Sequence, residues 1–230
     1  MRIAIMQPYF FPYIGYFQLV NSVDKFVFYD DVNFIKNGWI NRNRILINGD
    51  ANYLTINLKS ASPNKLINEI EIIDNRPKLA KTIQMAYKKA PYFENAWPVI
   101  KNCLEFDAEK LSEIAIFSVK AVSEYLGLQT RFEISSVSYP ETKGLAKAER
   151  LIQICKKNNV TEYINPIGGK ELYKKDEFEN HNIPLSFIKS KDIEYNQFIK
   201  NFAPNLSIID VMMFDSVEEI HSMLENFELV

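Results

Sequence analysis

The first apolar run of the chain, Ile3 to Met6, is closed by Gln7-Pro8 and predicts a short buried strand, because proline ends the hydrogen-bond ladder. Ile14 to Val20 then predicts a short helix opening at Gly15, and Lys25 to Tyr29 a second strand ending at Asp30-Asp31. Strand, loop, helix and strand within about thirty residues is the size of a βαβ unit, whose crossover makes the strands parallel. The loop Gln7 to Tyr16 and the Asp30-Asp31 pair should then share the carboxyl edge of the sheet, where ligands bind in such folds.

Arg44 to Ile47 and Tyr53 to Leu58, joined across Asn48-Gly49, predict a β-hairpin. A helical period follows from Arg76, with Asp74 or Asn75 as N-cap and Leu79, Ile83, Ala86 and Tyr87 on one face. A second helix is expected from about Ala108 to Leu126, capped by Asp107 and stopped by Gly127. Strand and helix then alternate: strand Arg131 to Ser135, helix Leu145 to Lys157, strand Glu162 to Asn165, helix Gly169 to Glu179, strand Leu185 to Ile188. Leu206 to Phe214 and Val217 to Phe227 read as two closing helices. The pattern predicts an α/β fold with a mainly parallel sheet. Its organisation is an α/β core of residues 1–75 and 127–205, a helical insertion at 76–126 and C-terminal helices at 206–230.

Composition adds limits. The 29 acidic residues nearly cancel the 27 basic ones, so no broad basic field exists to hold a nucleic-acid duplex. Cys103 and Cys155 belong to no close Cys/His spacing and read as reduced thiols, with no metal site expected. No apolar run is long enough to span a membrane and no signal segment is seen, which makes the cytoplasm the expected location. His181 and His221 stand alone and are set aside as surface or packing residues. Six of the nine residues from Tyr9 to Phe17 are aromatic. A loop so composed is either folded into the core or built as a pocket wall, and the pocket wall is the expectation.

Four stretches could carry chemistry. In the first, Gln7 to Tyr16, Gly15 suits a phosphate-binding turn at a helix start. Tyr13-Ile14-Gly15-Tyr16 resembles the His-x-Gly-His turn of the nucleotidyltransferase and class I aminoacyl-tRNA synthetase superfamily, with both histidines replaced by tyrosine. That resemblance implies a Rossmann-like, nucleotidyltransferase-like core which binds a nucleotide more readily than it transfers one, because tyrosine supplies no cation. Packing of Tyr13 and Tyr16 with their aromatic neighbours is the equal alternative. In the second stretch, Asp30 and Asp31 could hold Mg²⁺ or a sugar hydroxyl, and Arg42 and Arg44 a phosphate or carboxylate. Trp39, Asn41 and Asn43 add the aromatic face and amides of a sugar site. A solvated loop with one aspartate capping Lys36 or an arginine is the bland alternative.

The third stretch aligns Lys143, Lys147 and Arg150 on one helix face. Lys143, beside Gly144, is the anion-binding candidate, whereas Arg150 reads as part of a solvated face. The fourth, Asn165-Pro166-Ile167-Gly168-Gly169-Lys170, is an anion turn or a tight connection.

Beyond these readings, Ile5 to Tyr16, Asp24, Phe28 to Val32, Gly38 to Arg44, Ala86 to Phe93 and Leu206 to Asp210 together resemble the WbqC-like family. The resemblance implies a role in bacterial surface-polysaccharide and O-antigen biosynthesis. It suggests a transferase acting on a nucleotide-linked or lipid-linked sugar, or another small-molecule substrate, with glycyl transfer to an amino sugar as one such activity. An ATP-dependent version would use ATP and Mg²⁺, with Lys143 meeting the leaving phosphate. Expected site residues are Asp30, Asp31 and Lys143 for catalysis, and Gln7, Tyr13, Gly15, Tyr16, Trp39, Asn41, Arg42 and Arg44 for binding. A nucleotidyltransferase-like activating enzyme and a non-catalytic scaffold are the alternatives, and oligomeric state is left open.

Overall fold

The computed structural model describes residues 1–230. Its centre is a six-stranded sheet with spatial order β10-β9-β8-β1-β2-β7, in which β1 is Arg2–Met6, β2 Lys25–Phe28, β7 Arg131–Ile134, β8 Glu162–Pro166, β9 Leu185–Ser190 and β10 Phe227–Leu229. The first five are parallel and β10 runs antiparallel to β9. Counted in chain order, the parallel strands lie 3-2-1-4-5, so the direction of winding reverses between β1 and β8. Those two strands pair only at Arg2–Glu162 and Ile3–Tyr163 and leave a crevice beyond.

Alternation along the strands explains the layers. Ala4, Phe26, Phe28, Ile164 and Ile188 enter one apolar cluster with helices α1 (Ile14–Asn21), α2 (Arg76–Tyr87), α3 (Phe93–Glu105), α4 (Leu111–Tyr125), α8 (Ile208–Phe214) and α9 (Val217–Leu224). Ile3, Ile5, Val27, Tyr163, Leu185 and Phe187 point the other way, onto α6 (Lys147–Lys157) and Phe178 of α7 (Lys175–Glu179). Period-two strands thus serve two helical layers at once. No helix is long and apolar enough to cross a membrane.

The hairpin is β3 (Arg42–Ile47) with β4 (Asp50–Thr55), turning at Asn48 and Gly49, both with positive φ. The expected second strand does not run on to Leu58: β5 (Asn57–Lys59) pairs instead with β6 (Glu71–Ile73). Other boundaries also move. The helix expected from Ala108 begins at Leu111 behind Lys110, because Glu113 reaches back to the Lys110 backbone N–H and fixes the start there. The expected helix Gly169 to Glu179 is broken into a 3₁₀ turn, Ile167–Glu171, and the short α7. The last helix stops at Leu224, and Phe227–Leu229 pairs with the edge of β9. Helix α3 carries Pro98 in its interior, and no separate helix was expected there. A four-residue helix α5, Ser135–Ser138, follows β7 directly.

The aromatic loop after β1 is mostly core, contrary to the pocket-wall expectation. Phe10, Phe11, Tyr16 and Phe17 are buried, and Phe10 and Phe11 meet edge to face with centroids 4.9 Å apart. Phe11 holds φ at 41°, a left-handed conformation costly for an aromatic residue. Three hydrogen bonds keep it there: its N–H donates to Ser118 Oγ, and its carbonyl accepts from Asn43 Nδ2 and Ser207 Oγ.

Candidate functional site

A cleft of about 890 Å³ opens at the carboxyl ends of β1, β2 and β8, where the strand order reverses. Met6 and Gln7 come from the end of β1, Tyr29 and Asp31 from the end of β2, and Asn165 to Gly169 from the end of β8. Open parallel sheets bind ligands at this place, because diverging connections leave room and helix N-termini face it.

One side of the cleft is cationic. Lys143, Lys147 and Arg150 all line it, although Lys143 lies in the turn before the helix and does not share a helix face with the other two as expected. Helix α6 begins at Lys147 rather than Leu145, and no side chain caps its first turn, so its leading N–H groups are free to meet an anion. Lys143 and Lys147 make no ion pair with any carboxylate. Arg150 does not lie on a solvated face: it is only 4% exposed. Its Nη2 lies 2.6 Å from Asp31 Oδ2, its Nε donates to Thr142 Oγ1 at 3.1 Å, and its guanidinium sits 4.7 Å over the Tyr29 ring. A buried arginine needs such partners, since an unpaired one is expensive to desolvate.

The rest of the lining includes the aromatic and aliphatic side chains of Tyr9, Tyr173, Ile35, Leu66 and Leu172. Burial pushes the Tyr9 hydroxyl up to about 12, and raises that of Tyr29 against the opposing pull of Arg150. Both are neutral hydrogen-bonding groups near pH 7. At the floor, Asn165 donates through Nδ2 to the Tyr163 hydroxyl. A Cβ on Gly169 would lie 2.0 Å from Asn165 Oδ1, so the second glycine of the pair makes room for this amide.

A model of the WbqC-like protein family matches residues 7–222, a span that takes in every cleft residue beyond β1. The chain belongs to that family. It is also 28% identical to the uncharacterized protein Rv1507c of Mycobacterium tuberculosis over 216 residues, 92% of each chain. No solved structure matches.

This WbqC-like chain brings only some of the expected site residues together. Gln7, Asp31 and Lys143 line the cleft. Asp30 lies behind it, accepting from Ser135 Oγ, Ser136 N and Oγ, and Asn68 Nδ2. Asp31 accepts from Ser135 Oγ and Arg150. With their oxygens committed to protein donors, the two carboxylates as they stand do not fit a Mg²⁺ ion. No group of three or more His, Cys, Asp or Glu side chains is placed to hold a metal.

Tyr16 is buried and donates to the Gln7 carbonyl at 2.9 Å, holding the strand end from beneath. Gly15 is buried under the Tyr13 ring, whose Cε2 lies 2.4 Å from where a Cβ would stand, and neither residue lines the cleft. The uncapped helix start that meets the cleft belongs to α6. Asn41 and Asn43 are buried donors to the carbonyls of Ile56 and Phe11. Arg42 and Arg44 lie on the hairpin and Trp39 in the turn before it, all outside the cleft. His181 contacts Lys156 and His221 the Leu126 carbonyl, and burial pushes both cysteine thiols up to about 12.

Sequence reasoning took Arg150 for a solvated residue and did not single out Tyr29 or Tyr173. The Arg150 partner lies 119 residues away, beyond any spacing rule. For Tyr173 the usable signal was the glycine pair after β8, which marks a turn at the same sheet edge.

Proposed function

We propose that the cleft binds a nucleotide-activated sugar and that the protein is a transferase modifying that sugar, in the manner of acyl transfer to an amino sugar during surface-polysaccharide synthesis. One observation carries this reading: Lys143, Lys147 and Arg150 converge with the uncapped start of α6 on one wall of the switch-point crevice. The strand order 3-2-1-4-5 supports a Rossmann-like, nucleotidyltransferase-like core. In this reading the diphosphate lies against the two lysines and the α6 N–H groups. Arg150, held by Asp31, meets its inner oxygens, and Tyr9, Tyr29 and the aliphatic wall flank the base or sugar.

The chemistry available here is orientation and charge stabilisation. No cysteine or histidine lines the cleft, and the carboxylate of Asp31 is engaged, so the reading is direct attack of the sugar amine on an acyl group activated by ATP, whose phosphate or AMP leaves as the amide bond forms and the amine proton is lost. The same observation favours a second reading, a binding protein without turnover.

Calorimetric titration with a panel of nucleoside diphosphate sugars tests the first step. Binding should be weakened about tenfold by Lys143→Ala and Lys147→Ala together. Failure of every nucleotide sugar to bind overturns both readings. Binding without a mass increase of the sugar, when glycine, ATP and Mg²⁺ are supplied, selects the second.

A further inference from the structure

Trp39, Arg42, Arg44 and Tyr53, left outside the cleft, gather on the hairpin and the turn that leads into it. Arg44 pairs with Tyr53 across β3 and β4, and strand alternation puts Arg42 on the same face. The turn before β3 adds Trp39. The rings of Trp39 and Tyr53 lie 6.2 Å apart and tilted by 35°. The Arg42 guanidinium sits 4.3 Å over Tyr53, and that of Arg44 6.0 Å from Trp39. Ile45 and Leu54 supply the inward packing of the same strands, whereas Trp39 and Tyr53 are 40% and 54% exposed.

The two arginines are fixed but not neutralised. Arg42 donates to the carbonyls of Gly38 and Asn37, and Arg44 to those of Pro204 and Asn205. Neither meets a carboxylate, and Arg44 Nε has no partner at all. Carbonyls hold a guanidinium in place without cancelling its charge.

From this arrangement we infer a second binding surface, a platform for an acidic saccharide. Flat exposed rings accept the C–H face of a pyranose, and adjacent guanidinium groups accept its carboxylate or other anionic substituent. A single-stranded nucleic acid also stacks on aromatic rings, but it needs a basic groove along its backbone. Two arginines in a chain with 27 basic and 29 acidic residues do not provide one. The platform is close to the cleft: Trp39 follows the cleft residue Ile35 by four positions, so their Cα atoms are at most about 15 Å apart. Gly38 N–H donates to the Ile35 carbonyl and shortens that span further. The inference does not depend on what the cleft itself holds.

Tryptophan emission tests it. The chain has 2 tryptophans, so Trp97→Phe leaves Trp39 as the only reporter. In that full-length background, a hexamer of galacturonic acid should shift Trp39 emission saturably, and maltohexaose should not. Arg42→Gln should weaken the effect about tenfold, and so should Tyr53→Ala, whose exposed side chain can be removed without disturbing the core. The proposal is overturned by no response to the acidic hexamer, by equal affinity for maltohexaose, by unchanged affinity in both variants, or by tighter binding of a thymidine dodecamer.

Discussion

Arg150 and Asp31, separated by 119 residues, meet through a 2.6 Å contact with both side chains buried. The pair joins α6 to the end of β2 and forms part of the cleft wall. Removing one member of a buried pair strands the other charge, at a cost of about 3–5 kcal/mol. Arg150→Ala should therefore lower the unfolding free energy measured by urea denaturation by that amount, and Asp31→Asn, which keeps a hydrogen-bonding group, by less. An Arg150→Ala protein as stable as the parent would contradict the burial described here.

A second carboxylate gives stability a pH dependence. Burial, with Glu219 and Asp210 adding to it, pushes the Asp215 carboxyl up to about 7 from 3.8, and its Oδ2 has no hydrogen-bond partner. Below pH 4 the group is protonated in both the folded and unfolded chain and contributes no pH dependence. Between about 4 and 7 only the unfolded chain ionises, so stability falls as pH rises, and above 7 the loss is complete. Asp215→Asn should flatten this slope and raise the melting temperature at pH 8 by ~2–4 °C for each kcal/mol recovered. Thermal scans of both proteins from pH 4 to pH 8 measure it.

The floor of the cleft can be disturbed without touching a charge. Because a Cβ at Gly169 would stand 2.0 Å from Asn165 Oδ1, Gly169→Ala must displace that amide. We expect a stability loss of about 1–3 kcal/mol and weaker binding of any cleft ligand. Gly168→Ala, with open space around the same position, should cost less in both assays.

Asn43 separates structural from ligand-binding work. Asn43→Ala should destabilise the chain by about 1–3 kcal/mol, since it removes one of two donors to a buried carbonyl. Nucleotide-sugar affinity should be unchanged. Asn43→Ala and Ser207→Ala should also be non-additive, because they serve the same Phe11 oxygen. A double-mutant cycle in urea provides the number.

The parallel core was legible because its strands are short apolar runs bounded by proline, glycine or paired aspartates, and α6 because its period is clean. Boundaries failed where local signals competed. Asp107 looks like a cap, but Glu113 fixes the helix start at Lys110. Phe227–Leu229 is too short to show a period, and its pairing with β9 decides its state. At the site, Gln7, Asp31 and Lys143 could be found because they flank strand ends and a helix start. Asn41, Asn43 and Tyr16 have the chemistry of ligand-binding groups, yet the backbone carbonyls of Ile56, Phe11 and Gln7 take them. Residue type does not distinguish a bond to a substrate from one to a distant loop.

The left-handed turn at Phe11 has a consequence for synthesis. Its carbonyl waits for Ser207, 196 positions downstream, and Gln18 in the next helix donates to Met223 and Asn226. While the chain leaves the ribosome, this aromatic segment lacks these partners until Ser207, Met223 and Asn226 have been added. The nascent chain therefore carries an unfinished, sticky aromatic segment for at least 196 residues of synthesis, the kind of exposure that chaperones exist to shield.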